Sequence, residues 1–141
     1  MIVVDTNVIS EFMRAKPDPI VIQWFNQQNS RNFYITVITL AEIGYGLRLM
    51  PTGHKTQILN SRFKGFVAKA FEERVLDFDL ASAEAYIDLM ANRKEMGLPM
   101  SIPDGQIAAI ANVHRFSVST RNTKDFEYCG VELINPFKDT L

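Results

Sequence analysis

The chain lacks the features that mark a membrane-bound, secreted or disulfide-rich protein. Cysteine occurs once, at Cys129, which excludes an internal disulfide framework and a zinc site built from several cysteines. The longest uninterrupted apolar run, residues 107–111, is far shorter than the roughly 20 residues of a membrane-spanning helix. No basic stretch precedes the first apolar residues, and Asp5 interrupts them, so a signal peptide is not indicated. We therefore expect a soluble cytoplasmic domain.

A strong excess of one charge is also missing. The 141 residues include 15 Lys and Arg against 16 Asp and Glu, a net charge of −1. This balance neither suggests nor excludes a nucleic-acid partner. Hydrophobic residues make up 47% and charged residues 22%, which excludes a disordered or fibrous protein. We expect a single domain over residues 1–141.

Short apolar runs alternate with helical patterns along the whole chain. The runs predict five strands, at residues 2–4, 33–37, 75–78, 116–120 and 131–134. Strands that alternate with helices indicate a three-layer α/β/α fold with a central, mainly parallel sheet of about five strands. In such sheets ligands bind beyond the carboxyl ends of the strands.

The helical patterns also predict local details. Thr39 and Glu42 have the spacing of a capping box, which predicts a helix from there to about Met50. A long helical stretch is expected over residues 54–71. The clearest amphipathic helix follows Asp79, and its predicted buried face consists of Ala83, Tyr86, Ile87, Met90 and Ala91.

Four acids stand where the chain leaves a predicted strand or opens a helix. They are Asp5, Glu42, Asp104 and Asp125, with Asn122 near the last. Each has a structural interpretation as a helix cap or a first-turn acid. Gathered at one edge of a sheet, they would repel each other and bind a divalent cation. Oxygen ligands suit Mg²⁺ or Mn²⁺, which support phosphodiester hydrolysis. The residues alone leave both interpretations open.

A basic and aromatic region covers residues 43–71, which contain no acid. Phosphate contact and base stacking require such side chains, but a helix pair with a solvated basic face has the same composition. The candidate RNA-binding residues are Arg48, Lys55, Arg62, Lys64 and Lys69.

Several motifs, taken in order, resemble those of the PIN-domain ribonucleases. Residues 3–7 read VVDTN, residues 39–46 contain T-x-x-E-x-x-x-G, and residues 119–126 read STRNTKDF. Pro103-Asp104 and the closing INPF of residues 134–137 complete the set. The resemblance covers nearly the whole chain, and the nearest subgroup is the VapC and FitB-like toxins of bacterial toxin–antitoxin pairs.

The resemblance implies roles for individual residues. Asp5, Glu42 and Asp104 match the three core acids of the family, and Thr6 and Thr120 match its hydroxyl positions near the site. Related members often carry Asp where this chain has Asn122, which leaves open whether Asn122 or Asp125 supplies the fourth ligand.

The resemblance also implies an activity and partners. It implies a Mg²⁺- or Mn²⁺-dependent endoribonuclease that acts on RNA as a toxin and is neutralised by a VapB-like antitoxin. We also expect a homodimer.

Two other functions compete with this interpretation. One is a non-catalytic α/β binding module in which the acids only cap helices. The other is a metal-dependent phosphatase or phosphotransferase, which typically needs a second Asp two residues after the first. Asn7 occupies that position and argues against it.

Overall fold

A computed structural model describes residues 1–72 and 74–138. The predicted domain over residues 1–141 also includes residues 73 and 139–141, which lie outside the described residues, and its extent stays a prediction. Within the described residues, no helix is long and apolar enough to cross a membrane.

The sheet has five parallel strands in the order β3-β2-β1-β4-β5. The strands are β1 (Ile2–Val4), β2 (Phe33–Thr36), β3 (Val75–Leu76), β4 (Ser117–Ser119) and β5 (Leu133–Ile134). This confirms the predicted sheet, although β3 and β5 have only two residues each. The first strand of the chain is central, and it pairs with β2 on one side and β4 on the other.

Helices cover both faces of the sheet. They are α1 (Thr6–Met13), α2 (Pro19–Gln27), α3 (Val37–Leu49), α4 (His54–Gly65), α5 (Leu80–Glu95) and α6 (Ile102–His114). Side chains alternate along β1, so Ile2 and Val4 pack with apolar residues of α1–α4. Val3 packs on the opposite face with residues of α5 and α6. The three-layer α/β/α prediction is therefore confirmed.

The predicted capping box at Thr39 is wrong. Helix α3 begins at Val37 with Thr36 as its cap, and the Thr36 hydroxyl accepts the Thr39 N–H at 3.2 Å. Thr36 is the last residue of β2 and is still extended, so the chain enters the helix with no intervening loop. Glu42 consequently lies in the second turn, and its side chain is available for contacts outside the helix.

The helical stretch predicted over residues 54–71 is confirmed as far as Ala70: α4 ends at Gly65, and Phe66–Ala70 continue it as a π-helical turn. The buried face predicted for α5 needs correction. On α5, Ile87 is 65% exposed, while Leu89 and the polar Ser82 and Arg93 are buried. Apolar periodicity does not detect a polar side chain such as Arg93, which is buried while its guanidinium donates hydrogen bonds to backbone carbonyls.

Candidate active site

Asp5 is held at the carboxyl end of the central strand. It caps α1, and its Oδ1 accepts the Thr6 N–H at 2.8 Å. Its Oδ2 accepts the Thr120 hydroxyl at 2.8 Å. Thr120 is brought there because β1 and β4 pair in parallel and the Asp5 N–H donates to the Ser119 carbonyl at 2.9 Å. The Asp5 side chain is thus fixed by two neighbouring strand ends and is only 4% exposed.

Glu42 reaches the same edge of the sheet from α3. The Thr6 hydroxyl donates to Glu42 Oε1 at 2.8 Å and lies 2.9 Å from the Thr39 hydroxyl. Because the single Thr6 hydroxyl proton goes to Glu42, Thr39 is the donor to Thr6. This short chain of hydroxyls fixes Glu42 beside the start of α1.

Asp104 lies in the first turn of α6. Ser101 caps that helix and accepts the Asp104 N–H at 3.3 Å. Asp125 belongs to a 3₁₀ turn, Thr123–Phe126, and its N–H donates to the Asn122 carbonyl at 3.0 Å. The Asn122 N–H in turn donates to the Thr120 hydroxyl oxygen at 3.1 Å. Both candidate fourth residues therefore stand on one turn tied to Thr120.

The four acids line one cleft of about 490 Å³, together with Thr6 and Asn122. Burial, with a smaller contribution from the negative charges of Asp104 and Glu42, raises the pKa of Asp5 to about 6 despite the lowering effect of its two hydrogen bonds. Burial also raises the pKa of Asp104, with smaller contributions from Asp125 and Glu42. The carboxylates thus repel each other across the cleft, and a bound positive charge would relieve this repulsion.

The cleft is not a preassembled metal cage. Within residues 1–72 and 74–138, no three acidic, histidine or cysteine side chains stand close enough to hold a metal ion as a group. All the charged candidates are nevertheless oxygen donors, the ligand type that Mg²⁺ and Mn²⁺ prefer. The donor set fits a hard divalent cation that retains part of its hydration shell.

A larger, mainly apolar groove of about 1050 Å³ adjoins the cleft. The two share Thr6, Ser10, Arg14 and Glu42. The walls of the groove come from α1, α3 and α4 and include Ile43, Leu47, Ile58 and Leu59. The polar cleft and the apolar groove therefore form a continuous surface.

The five candidate RNA-binding residues are not gathered in one place. Lys55 and Arg62 line the groove, and the Arg62 guanidinium also donates to the Met13 carbonyl at 2.9 Å. The other three lie outside the linings of both the cleft and the groove. They are Arg48, Lys64 and Lys69.

Of the six cleft residues to which the sequence analysis gave no site role, four form side-chain hydrogen bonds or ion pairs there. Asn7 donates to the Thr120 hydroxyl oxygen at 3.3 Å and accepts the Arg121 N–H at 3.2 Å. Glu11, Arg14 and Arg121 form an ion-pair cluster on another wall. Arg121 stood inside a quoted motif, but Glu11 had no signal beyond an acid in an otherwise apolar stretch of helix.

The chain is similar to known proteins over nearly its whole length. The family model for the PIN domain matches residues 2–130. The VapC ribonuclease Y4jK of Sinorhizobium fredii is 45% identical over 138 residues, covering 98% of this chain and 99% of that protein. Toxin FitB of Neisseria gonorrhoeae is 35% identical over 139 residues, covering 99% and 100%.

A solved structure agrees over the same length. The structure of FitAB bound to an IR36 DNA fragment superposes with a TM-score of 0.92 and 34% identity, covering all of this chain and 99% of that one. The parallel five-stranded order, the acids at its carboxyl edge and these matches lead to one conclusion: the chain belongs to the PIN-domain family, among its VapC/FitB-like members.

Proposed function

We propose that this chain is a Mg²⁺- or Mn²⁺-dependent endoribonuclease that acts as the toxin of a VapBC-type toxin–antitoxin pair. The observation that carries the proposal is the cleft itself, in which carboxylates from four separate segments meet at the carboxyl edge of a parallel sheet. Membership of a family that includes a protein named VapC ribonuclease supports it.

The cation would be held by Asp5, Glu42, Asp104 and Asp125. Mg²⁺ usually keeps several bound waters and needs few direct protein ligands. Acids that are spread around the cleft therefore fit Mg²⁺ better than they would fit a fully dehydrated ion. Asn122 offers a neutral amide oxygen at the same wall. When bound, the cation supplies activation of water and stabilisation of the charge that develops on the phosphate.

The hydroxyl residues position these acids. Thr120 fixes one oxygen of Asp5, and Thr6 fixes one oxygen of Glu42. An oriented carboxylate loses less side-chain entropy when it binds a cation, and such supporting hydrogen bonds typically change metal affinity about 10–100-fold.

The structure also bears on the phosphatase alternative. A second Asp two residues after Asp5 would act as general acid in that reaction, but Asn7 stands there. Its amide bridges Thr120 and the Arg121 backbone instead of facing a leaving group. This favours the nuclease.

A protein partner is part of the same proposal. The apolar groove offers a surface for a VapB-like antitoxin, and an antitoxin arginine that extends into the adjoining cleft would pair with its carboxylates. RNA would approach the cleft along the same groove, past Lys55 and Arg62. Arg48, Lys64 and Lys69, outside the groove lining, would contact RNA beyond it. A homodimer and action in the cytoplasm, where RNA and a DNA-binding antitoxin are available, complete the proposal.

The test is metal-dependent cleavage of labelled RNA by the purified chain. We expect cleavage with Mg²⁺ or Mn²⁺, none with EDTA, and loss of cleavage in Asp5→Asn and Asp104→Asn, which remove a ligand charge at nearly constant volume. Asp88→Asn is the matched control, because Asp88 is an exposed acid on α5 outside the cleft. Cleavage that persists in both cleft variants would refute the assignment, and a wild type that binds RNA without cutting it would favour the binding module.

A further inference from the structure

The acid cleft contains two guanidinium groups that are not paired with its four acids. Arg14 and Arg121 both line the cleft, and both are paired with Glu11. The Arg14 Nη1 lies 3.2 Å from Glu11 Oε2, and the Arg121 Nη2 lies 3.3 Å from Glu11 Oε1. Glu11 therefore keeps these cations away from the candidate metal ligands.

Glu11 is an unusual carboxylate because it is one of the buried residues of α1. Its side chain is 3% exposed. Burial raises its pKa, but the Asp18 N–H at 2.9 Å and the two arginines outweigh burial and hold the pKa below its ordinary value. The group is thus a permanent buried anion, and a buried charge is stable only when it is paired and hydrogen-bonded in this way.

Arg121 is held more firmly than an ordinary surface arginine. Its guanidinium lies 3.8 Å from the centre of the Phe137 ring. Its backbone N–H donates to Asn7, and its backbone carbonyl accepts from the Asn135 amide at 3.3 Å. The side chain is still 51% exposed, so a guanidinium with five N–H donors is fixed in place and open to the cleft.

We propose that Arg121 contacts an RNA phosphate in the cleft, and that Glu11 is the positioning residue that holds it there. This inference rests on the proposed ribonuclease function. A planar guanidinium matches the oxygens of a phosphate, and a pre-positioned one loses little entropy on binding. The four acids hold the cation and Arg121 receives the anionic substrate, so opposite charges are bound by different side chains of one cleft.

Kinetics and binding together test the proposal. With saturating Mg²⁺, Arg121→Ala should raise KM about ten-fold or more, as expected for loss of a charge-assisted hydrogen bond. Arg121→Lys should recover part of that loss, because lysine keeps the positive charge but lacks the planar guanidinium that donates two parallel hydrogen bonds. Glu11→Gln should also raise KM, although Glu11 does not touch RNA. Lys124→Ala is the control, since Lys124 is exposed on the neighbouring turn and lies outside the cleft lining.

A binding assay separates failure of this inference from failure of the proposed function. The assay measures the binding of a short fluorescein-labelled single-stranded RNA of mixed sequence at several salt concentrations. All variants carry Asp104→Asn, so the measurement does not depend on cleavage. Loss of one phosphate contact should reduce the slope of log K against log salt by about 0.7 in the Arg121→Ala variant only. An unchanged slope overturns the inference whether or not the wild type cleaves RNA. A lower Tm with unchanged KM and slope would show that the cluster has only a structural role, and would overturn it as well.

Discussion

Asp5 shows at the scale of one residue how stability and activity conflict. The side chain is almost fully buried, and two nearby acids repel its charge. A carboxylate in such a place costs folding free energy unless a cation compensates it. A residue that we propose as a metal ligand is therefore also a source of instability in the metal-free protein.

The pH dependence of stability follows from this shift. The folded pKa of Asp5, about 6, lies above the ordinary aspartate value of 3.8, so between about pH 4 and pH 6 the folded state binds more protons than the unfolded state. The contribution of Asp5 to the free energy of unfolding therefore falls as pH rises through this window, and above pH 6 it is a penalty.

Asp5→Asn should remove that penalty. With EDTA present, we expect the variant to be more stable than the wild type at pH 7.5 by about 1–3 kcal/mol, and the difference to shrink towards pH 4. Urea denaturation across this pH range measures it. Addition of Mg²⁺ should stabilise the wild type and not the variant. A variant that is less stable at every pH would contradict the argument.

The sequence indicated the candidate acids of the cleft better than the other charged side chains that line it. Asp5 and Asp104 were identifiable because each follows a local signal, a strand end or a helix cap. The pair of Glu11 and Arg121 spans 110 positions. Only the packing of α1 against the end of β4 brings it together, and no local pattern contains that information.

At the scale of elements, Arg93 is the side chain that links helix α5 to the segments around Asp104 and Asp125. It is buried on α5, and its guanidinium donates to the carbonyls of Leu98, Lys124 and Glu127. Leu98 belongs to the segment that leads into α6 and Asp104, and the other two carbonyls flank Asp125. One side chain thus joins the two segments that carry these acids.

Replacement of Arg93 by Met should preserve volume but leave these carbonyls without a donor. We expect the free energy of unfolding to fall by about 2–4 kcal/mol, since buried unsatisfied groups are costly. RNA cleavage should fall too, because the two acid-bearing segments lose their common anchor. Thermal unfolding and a cleavage assay measure both effects. Lys94→Met, an exposed substitution at the next position of α5, should change neither; equal behaviour of the two variants would argue against the role of Arg93.

The sequence predicted which strands and helices exist better than it predicted their buried faces and first residues. The alternation of apolar runs and helical patterns was enough for the parallel three-layer fold. The α5 face was misassigned because Arg93 and Ser82 are buried polar residues, while Ile87 is exposed. The start of α3 was misplaced because two threonines, Thr36 and Thr39, compete for the same cap, and only strand pairing shows which is still extended.

At the scale of the whole molecule, the cleft and the groove form one surface that either a cation and RNA or an inhibitor would occupy. Neutralisation of the four cleft acids would turn the slightly negative net charge positive and favour phosphate binding. An inhibitor arginine and the metal would then compete for the same carboxylates.

Mg²⁺ should consequently weaken the binding of an arginine-bearing antitoxin tail. Isothermal titration calorimetry at rising Mg²⁺ concentration measures the effect, with NaCl at equal ionic strength as the control. Replacement of the tail arginine by Ala should restore RNA cleavage in the mixture. Binding that responds to neither change would mean that inhibition acts elsewhere.

The central position of the first strand has a consequence for the timing of synthesis. Asp5 is synthesised before Thr120, which fixes its carboxylate and follows 115 positions later. At the usual speed of translation, that delay is on the order of 10 s. During this interval the central strand lacks β4, and the acids of the cleft are not yet brought together. If the chain is the ribonuclease we propose, its cleft cannot assemble and act on the messenger and ribosome that produce it until β4 and Thr120 have been made.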